Sequence, residues 1–463
     1  MASSVTVKIG NFTGGVNYRY DESVLPTSVA SDCYNFDFSS GVLIDGYGIE
    51  GVEYFNGYNI KSVFHYKKFN HETGLQDDRV IGVGADGSVY CCPLNSPQNI
   101  QMWDGITLTG IPNFVNYRLY GEDVCIITTQ NEGMIVYDGV SAPYKVESAP
   151  TITSMALHYE RLFVTVAGEK NSVWFSDDLD PTNWDASLDG GGFIQLIDER
   201  GALNKVVSYL GYVFVFRDYG ISRITAYANQ ADFSVSNLFV SSGRIYPQSV
   251  VNCGDRIIFL AEDGLYAFDG VSASKLLSPL GSLIKNGESA VGSYGYGKYY
   301  LAFNRDLNGE IVGDEAGAFT NNGLLVYDIN SGEYALSRGM DLISLTAVNG
   351  EVWGCVGSGR VGKITRCGAN FGTPLLKKWR VPKSDLGKLG KKTVRQISVF
   401  SQSDCKIVLV GDRREKTITV KGKGEVQRRR LCFADKRVGF DFIVSGVGAK
   451  ISRPTVSVTV NGF

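Results

Sequence analysis

At 463 residues and 50.5 kDa the chain is too long for one ordinary core and predicts two or three structural units. Its 55 Gly, 25 Tyr and 24 Phe, spread among Val, Ile and Thr, suit many short strands joined by tight turns and exclude a helix-rich class. The net charge of −3 hides a polarity: residues 377–463 hold 21 Lys and Arg against 7 Asp and Glu, whereas residues 1–376 hold 24 against 41. Those balances, +14 and −17, suggest a basic module on an acidic body, suited to phosphate, an acidic partner or the body of a neighbouring copy.

No stretch approaches the roughly 18 apolar residues of a membrane span, and residues 1–12 carry neither a basic start nor an apolar run. The expectation is a protein made and folded in a cytoplasm. Residues 1–50 lack any repeat and predict an extended arm, whose strands could complete a repeat or pair with the C-terminal module.

From residue 51 the chain repeats. The clearest pair is DVCIITTQNEGMIVYDGVSAPYKV at 123–146 and DRIIFLAEDGLYAFDGVSASKLL at 255–277, each a hairpin followed by a second turn. Weaker copies lie at 79–92, 161–177, 212–227, 298–336 and 351–365. Their first strands, marked by Val80, Val124, Leu162, Val213, Ile257, Tyr299 and Val352, are 38 to 53 residues apart. A period near 45 without helices predicts four-stranded units closed as a six- or seven-bladed β-propeller over 51–370, because each unit presents apolar faces that only its neighbours can cover. Ile257, Phe259 and Ala261 alternate with Ile258 and Leu260, which makes that strand apolar on both faces.

Residues 371–392, basic and broken by Pro and Gly, read as a connector. Beyond it, over 393–463, six segments (QISVFSQ, CKIVLVG, KTITVKG, RRLCFAD, VGFDFIVSG and PTVSVTV) alternate as strands do and predict a small basic β-sandwich or jelly roll. The fold class expected is therefore all-β.

Chemistry is sparse. His65, His71 and His158 are the three histidines; two sit in strand-like apolar surroundings and read as core or edge residues rather than ligands. Nine Cys, scattered singly apart from Cys91 and Cys92 and without a Cys-x-x-Cys spacing, read as buried free thiols. No nucleophile elbow, zincin helix or phosphate loop occurs. Asp177, Asp178, Asp180 and Asp185 could form a glycosidase carboxylate pair only if the fold brought them together, and an acidic Pro-containing run is ordinarily a solvated turn. Asp306, Asn308 and Glu310 could hold calcium, but a full EF-hand pattern is absent and a plain hairpin tip is the better reading. No cofactor or metal is implied, and the expectation is not an enzyme.

One stretch carries a resemblance. In GGVNYRYDESVLPTSVASDCYNFDFSSGVLIDGYGIEGV, at 14–52, Gly14, Gly15, Asn17, Arg19, Asp21, Leu25, Pro26, Asp32, Asn35 and Asp37 form a pattern that resembles the opening of a family of bacteriophage virion proteins. The segment RLFVTVAGEKNSVWFSDDLDPTNW at 161–184 is similar to a blade of such proteins. The plan of arm, propeller and terminal β-domain also resembles the tail-hub or nozzle proteins of short-tailed phages, the packaged-DNA stabilisation proteins. Tyr18, Tyr20 and residues 44–49 depart from the more charged residues common in that opening.

The resemblance implies a virion structural subunit, made in the host cytoplasm and present as several copies in a ring around the tail channel. It would contact other tail or portal-adaptor proteins and help retain and conduct the genome. Arg413, Arg414, Lys421, Lys423, Arg428, Arg429 and Arg430 are the candidates for a subunit interface or a sequence-independent phosphate contact with DNA. A host-glycan-binding tail adhesin is the alternative, and a glycan-cleaving propeller the third reading.

Overall fold

The computed structural model describes residues 4–9, 12–71, 73–188, 190–227, 230–306 and 319–460. They form mainly antiparallel sheets with a few short 3-10 turns, an all-β, propeller-like architecture, and no described helix is long and apolar enough to cross a membrane.

Seven sheets share one plan. In the first, Ile60–Tyr66, Arg79–Gly84, Ser88–Pro93 and Gln101–Thr107 follow one another as a meander, and five more repeat it. All seven sequence markers fall on the second strand of a sheet, from Arg79–Gly84 to Glu351–Val356. These second strands are apolar on both faces because a neighbouring sheet covers each side. Ile257–Ala261, for instance, is buried at every position.

Side-chain packing links the sheets in sequence. Tyr66 shares a core with Cys125 and Ile127, Ile126 with Leu162, and Phe163 with Val213. Phe216 lies edge-on to Phe259 at 5.4 Å, Leu260 shares a core with Leu301, and Val326 with Leu342. Val348 of the seventh sheet then packs with Val63 and Val80 of the first. The inner strands Leu342–Val348 and Ile60–Tyr66 are also tied by Thr346 Oγ1, which donates to the Val63 carbonyl at 2.8 Å.

A tyrosine clasp recurs between neighbours. Near the end of an inner strand, Tyr66, Tyr117 and Tyr209 donate to the carbonyls of Asp123, Glu160 and Asp255 in the next sheet, at 2.6, 2.8 and 2.5 Å. We expect Tyr117→Phe, which removes one such bond to the Glu160 carbonyl, to cost about 1 kcal/mol in urea unfolding with an unchanged m-value.

The arm is not one element. Gly48–Gly51 is the fourth strand of the seventh sheet, antiparallel to Val361–Thr365. Close approach there requires glycine: a Cβ on Gly362 would stand 2.4 Å from Ile49 Cγ2. Four earlier strands, Ser4–Lys8, Asp32–Tyr34, Phe36–Asp37 and Leu43–Asp45, belong to the C-terminal module.

That module contains all six strands expected after residue 392. One sheet is ordered Phe36–Asp37, Leu43–Asp45, Lys450–Val460, Lys392–Ser401, Glu425–Asp435, with Ser4–Lys8 also on Lys450–Val460. The other is ordered Asp32–Tyr34, Lys377–Ser384, Val438–Val444, Cys405–Val410, Glu415–Val420. The expected connector at 371–392 therefore needs correction, because Lys377–Ser384 is a strand paired on both sides. Its Lys residues and Pro382 disguised it, and Pro382 is accommodated at a register shift between Val381 and Ser384.

Lys205, on the inner strand Leu203–Tyr209, makes no salt bridge among the described residues, and burial pushes its amine down to about 8. With the folded value below the ordinary 10.5, the unfolded chain binds more protons between about pH 8 and 10.5, so stability rises with pH across that window. Lys205→Met should stabilise the protein by about 1–3 kcal/mol at pH 7. The gain should shrink above pH 8 in denaturation curves taken across the window.

Candidate interaction surface

The residues carrying the resemblance converge on the junction of arm, sheets and sandwich. Asn17 Oδ1 accepts from the backbone N–H groups of Arg19 and Tyr20, at 2.9 and 3.1 Å, and Asp21 caps the short turn Glu22–Val24 through Ser23 N. A Cβ on Gly14 would lie 2.6 Å from the Ser28 carbonyl, and Gly15 takes a φ of 71° against the Tyr334 hydroxyl. Leu25 is buried, whereas Arg19 and Pro26 are exposed. Asn35, buried in the left-handed region at φ 61°, accepts from Arg338 N at 2.8 Å and donates to the Leu376 carbonyl at 2.7 Å. One side chain thus holds the sixth sheet to the chain entering the sandwich.

Charges at this junction are paired in a series. Arg305 of the sixth sheet lies 3.0 Å from Asp32, whose carboxylate also accepts from the Tyr18 hydroxyl at 2.9 Å. Burial holds that hydroxyl above its ordinary value, against the opposing pull of Arg305. Lys378 stands 3.8 Å from Asp32 and 3.9 Å from Asp441, and Arg380 grips Asp441 with two bonds of 3.0 and 2.9 Å. Lys377, buried, meets Asp45 at 3.2 Å, and Arg366 meets Asp37 at 2.7 Å. Part of the basic excess after residue 376 is therefore internal.

The remainder lies along one edge of the sandwich. Glu415–Val420 and Glu425–Asp435 each end their sheet, so each exposes an unpaired backbone edge. Side chains stitch the two edges together: Arg414 donates to the Ala434 carbonyl, Lys416 to the Cys432 carbonyl at 3.3 Å, and Gln427 to the Lys421 carbonyl. Arg413 and Arg414 lie in the turn before Glu415–Val420, and Lys421 and Lys423 in the turn after it, so the two pairs are about 20 Å apart. Arg428 and Arg430, exposed and two residues apart, project from one face between them.

Arg429 departs from the expected cluster. It is half-buried on the opposite face and donates to Gln427 at 3.2 Å. Lys421 is engaged by Asp404 at 2.7 Å. Among the described residues no carboxylate pairs with Arg413, Lys423, Arg428 or Arg430. Basic side chains on open edges deter pairing with other strands and leave a cationic stripe for an anionic surface.

The other candidates separate. His65 and His158 are buried, bonded to Asp78 and Ser208 at 2.9 Å each, and burial pushes the His158 imidazole down. His71, exposed, sits 3.0 Å from Arg118. The acidic run is a set of turn bonds: Asp177 accepts from Asn183, Asp180 from Thr182 and Tyr120, and Asp185 from Ser187. Partial burial alone would raise Asp180, but those bonds outweigh it and hold the carboxyl below its ordinary value; Asp185 is lowered by Ser187. A general acid needs the opposite shift. Asp306 is described, whereas Asn308 and Glu310 lie outside the described residues. Cys432 is exposed and Cys367 partly so, contrary to the expectation of nine buried thiols.

A further feature went unread in the sequence. The turns closing the inner hairpins place Tyr120, Leu210, Tyr296 and Asn349 at positive φ, each followed by a positive-φ Gly. The signal was present as Tyr-Gly, Leu-Gly and Asn-Gly pairs between strands, the signature of a two-residue turn.

No family model matches the chain, and no curated protein matches it. Among solved structures, it is similar to BBS1N in complex with ARL6DN, at 11% identity and a TM-score of 0.45 over 68% of this chain and 96% of that one. It is also similar to the extracellular domain of a hybrid two-component system from B. thetaiotaomicron, at 10% identity and a TM-score of 0.45, over 83% and 48% of the chains. Raptor from Chaetomium thermophilum aligns at 7% identity and a TM-score of 0.47, over 69% and 29%.

Proposed function

We propose that this chain is a non-catalytic structural subunit of a bacteriophage tail, assembled as several copies around the tail channel, where it helps retain and conduct the genome. In this reading the seven sheets are the blades of a seven-bladed propeller, latched by Gly48–Gly51, and the sandwich is a basic appendage on the acidic ring.

The observation that carries the reading is the position of the 14–52 residues that resemble phage virion proteins. They bind arm, sixth and seventh sheets and sandwich through Asp32, Asn35 and Asp37, as a subunit transmitting mechanical load requires. The cationic stripe on the sandwich edge supports an interfacial role, toward either phosphate or an acidic neighbour.

Cryo-electron microscopy of the intact particle containing this chain tests the proposal. A closed ring on the tail axis is the expected result; copies placed off the axis would overturn it. The second reading, a host-glycan adhesin, draws on exposed tyrosines beside carboxylates, as at Tyr120 and Asp180. Retention on host polysaccharide that is lost in Tyr120→Ser would favour it.

A further inference from the structure

The inner-hairpin tips gather at one end of the seven sheets. Tyr296 donates from its tip to the Asn349 carbonyl of the next at 3.0 Å, and a Cβ on Gly211 would stand 3.4 Å from the Tyr159 hydroxyl of the preceding tip. The clasps of Tyr66, Tyr117 and Tyr209 run between the same ends of adjacent sheets. Consecutive tips are therefore neighbours.

What these tips carry is unusual for a turn. Tyr120 is 82% exposed, Tyr296 73%, and Tyr159 and Leu210 62% each. All four have φ between 46° and 52°, a left-handed region that disfavours bulky side chains. Contacts within the chain are few, Tyr120 to Asp180 and Tyr296 to the Asn349 carbonyl among them, and most of each side chain's surface remains in solvent. Strained, exposed, bulky residues repeated at equivalent positions indicate a contact made outside the chain.

Charge specifies the occupant. The turns at this end bear Asp138, Glu160, Asp178, Asp180, Asp255 and Asp269, whereas the described basic residues in the same turns are Lys67, Lys68 and Arg256. An aromatic, acidic end matches an arginine-bearing edge, because Arg guanidinium groups stack on tyrosine rings and pair with carboxylates. Such an edge exists on this chain at Arg428 and Arg430, flanked by Arg413 and Lys423, with the half-exposed Val426 beside them.

We propose that the tyrosine-tipped end of the propeller-like body receives the Arg428/Arg430 edge of a second copy of this chain, head to tail. The inference rests on the multi-copy reading above and names its contact. Because the two surfaces differ, the contact is heterologous: it forms a ring if the rotation between copies closes and a filament if it does not. Tyr and Arg are also the residues that dominate binding energy at protein interfaces.

Sedimentation velocity of the full chain at about 50 mM and about 500 mM NaCl tests it. Association that weakens at high salt is expected. Arg428→Glu with Arg430→Glu, and separately Tyr120→Ser with Tyr159→Ser, should each weaken association at least tenfold while leaving the thermal midpoint in place. Glu122→Lys with Glu160→Lys, at exposed positions beside the tips, should do the same; mixing this variant with the double-Glu variant should restore assembly in alternating order. Association unaffected by both the arginine and tyrosine variants would overturn the contact and leave the tail-ring reading standing. A chain monomeric under all conditions would also overturn the contact, and the particle map would then judge the ring reading separately. Tyrosine-dependent binding to polysaccharide with no self-association would overturn it in favour of the glycan reading.

Discussion

Deleting residues 1–51 will leave a chain that no longer unfolds as one cooperative unit. The deletion removes Gly48–Gly51, exposing the apolar edge of Val361–Thr365, and it removes Ile49, which is fully buried in the core between the sixth and seventh sheets. It also strips four strands from the sandwich, together with Phe12 and Phe38, whose rings lie 5.4 and 5.2 Å from the buried Trp379. A domain's net stability of about 5–15 kcal/mol cannot absorb losses on that scale. A smaller perturbation probes the latch alone: Ile49→Asp inserts an unpaired carboxylate where a methyl-rich side chain was, at an expected cost of about 5 kcal/mol or more. Urea unfolding followed by tryptophan fluorescence and circular dichroism is the measurement. A truncated chain with a native spectrum and a single sharp transition would show that the sheets close without the arm.

The second large effect is expected at the charged junction. Asp441 is 5% exposed and faces both Lys378 and Arg380; Asp441→Ala leaves those two cations together in a space built for three charges. The change removes the two charge-assisted bonds of Arg380, which is 37% exposed, while Lys378 keeps Asp32 at 3.8 Å, so the expected cost is about 2–3 kcal/mol, below that of stripping a fully buried pair. The pairing itself is worth less than that loss implies. Arg380→Met with Asp441→Leu, which removes the two bonded opposite charges together and leaves Lys378 its Asp32 contact, should therefore recover most of the loss. If the double variant is as unstable as Asp441→Ala, the geometry of these side chains, not their charge balance, holds the sandwich to the body. The double variant's stability should also depend less on salt than the native chain's, since ion pairs near a surface are screened and a repacked apolar pair is not.

The strand-rich class, the repeat near 45 residues and the six C-terminal strands were legible because each depends on local pattern. The seven markers fell on the strands buried on both faces, where a period of two vanishes and a continuous apolar run replaces it. The strand Lys377–Ser384 escaped because its inward positions include lysines that only a distant carboxylate makes tolerable: Asp45 for Lys377, Asp32 and Asp441 for Lys378. The basic stripe was partly legible. Counting charges found it, but pleating put Arg429 on the opposite face from Arg428 and Arg430, and burial removed Lys377, Lys378 and Lys392 from the surface.

By itself, then, the sequence determined what short-range physics determines: strands from alternating and β-branched residues, turns from glycine, and a basic segment from composition. Tertiary structure alone decided that residues 4–51 are divided between two units, that Gly48–Gly51 latches the seventh sheet, and that the tyrosine tips stand together at one end. The reason is distance along the chain. Gly51 pairs with Gly362 and Ser4 with Thr459, and a pairing across hundreds of residues leaves no period or motif in either segment; it exists only once the units between them have folded.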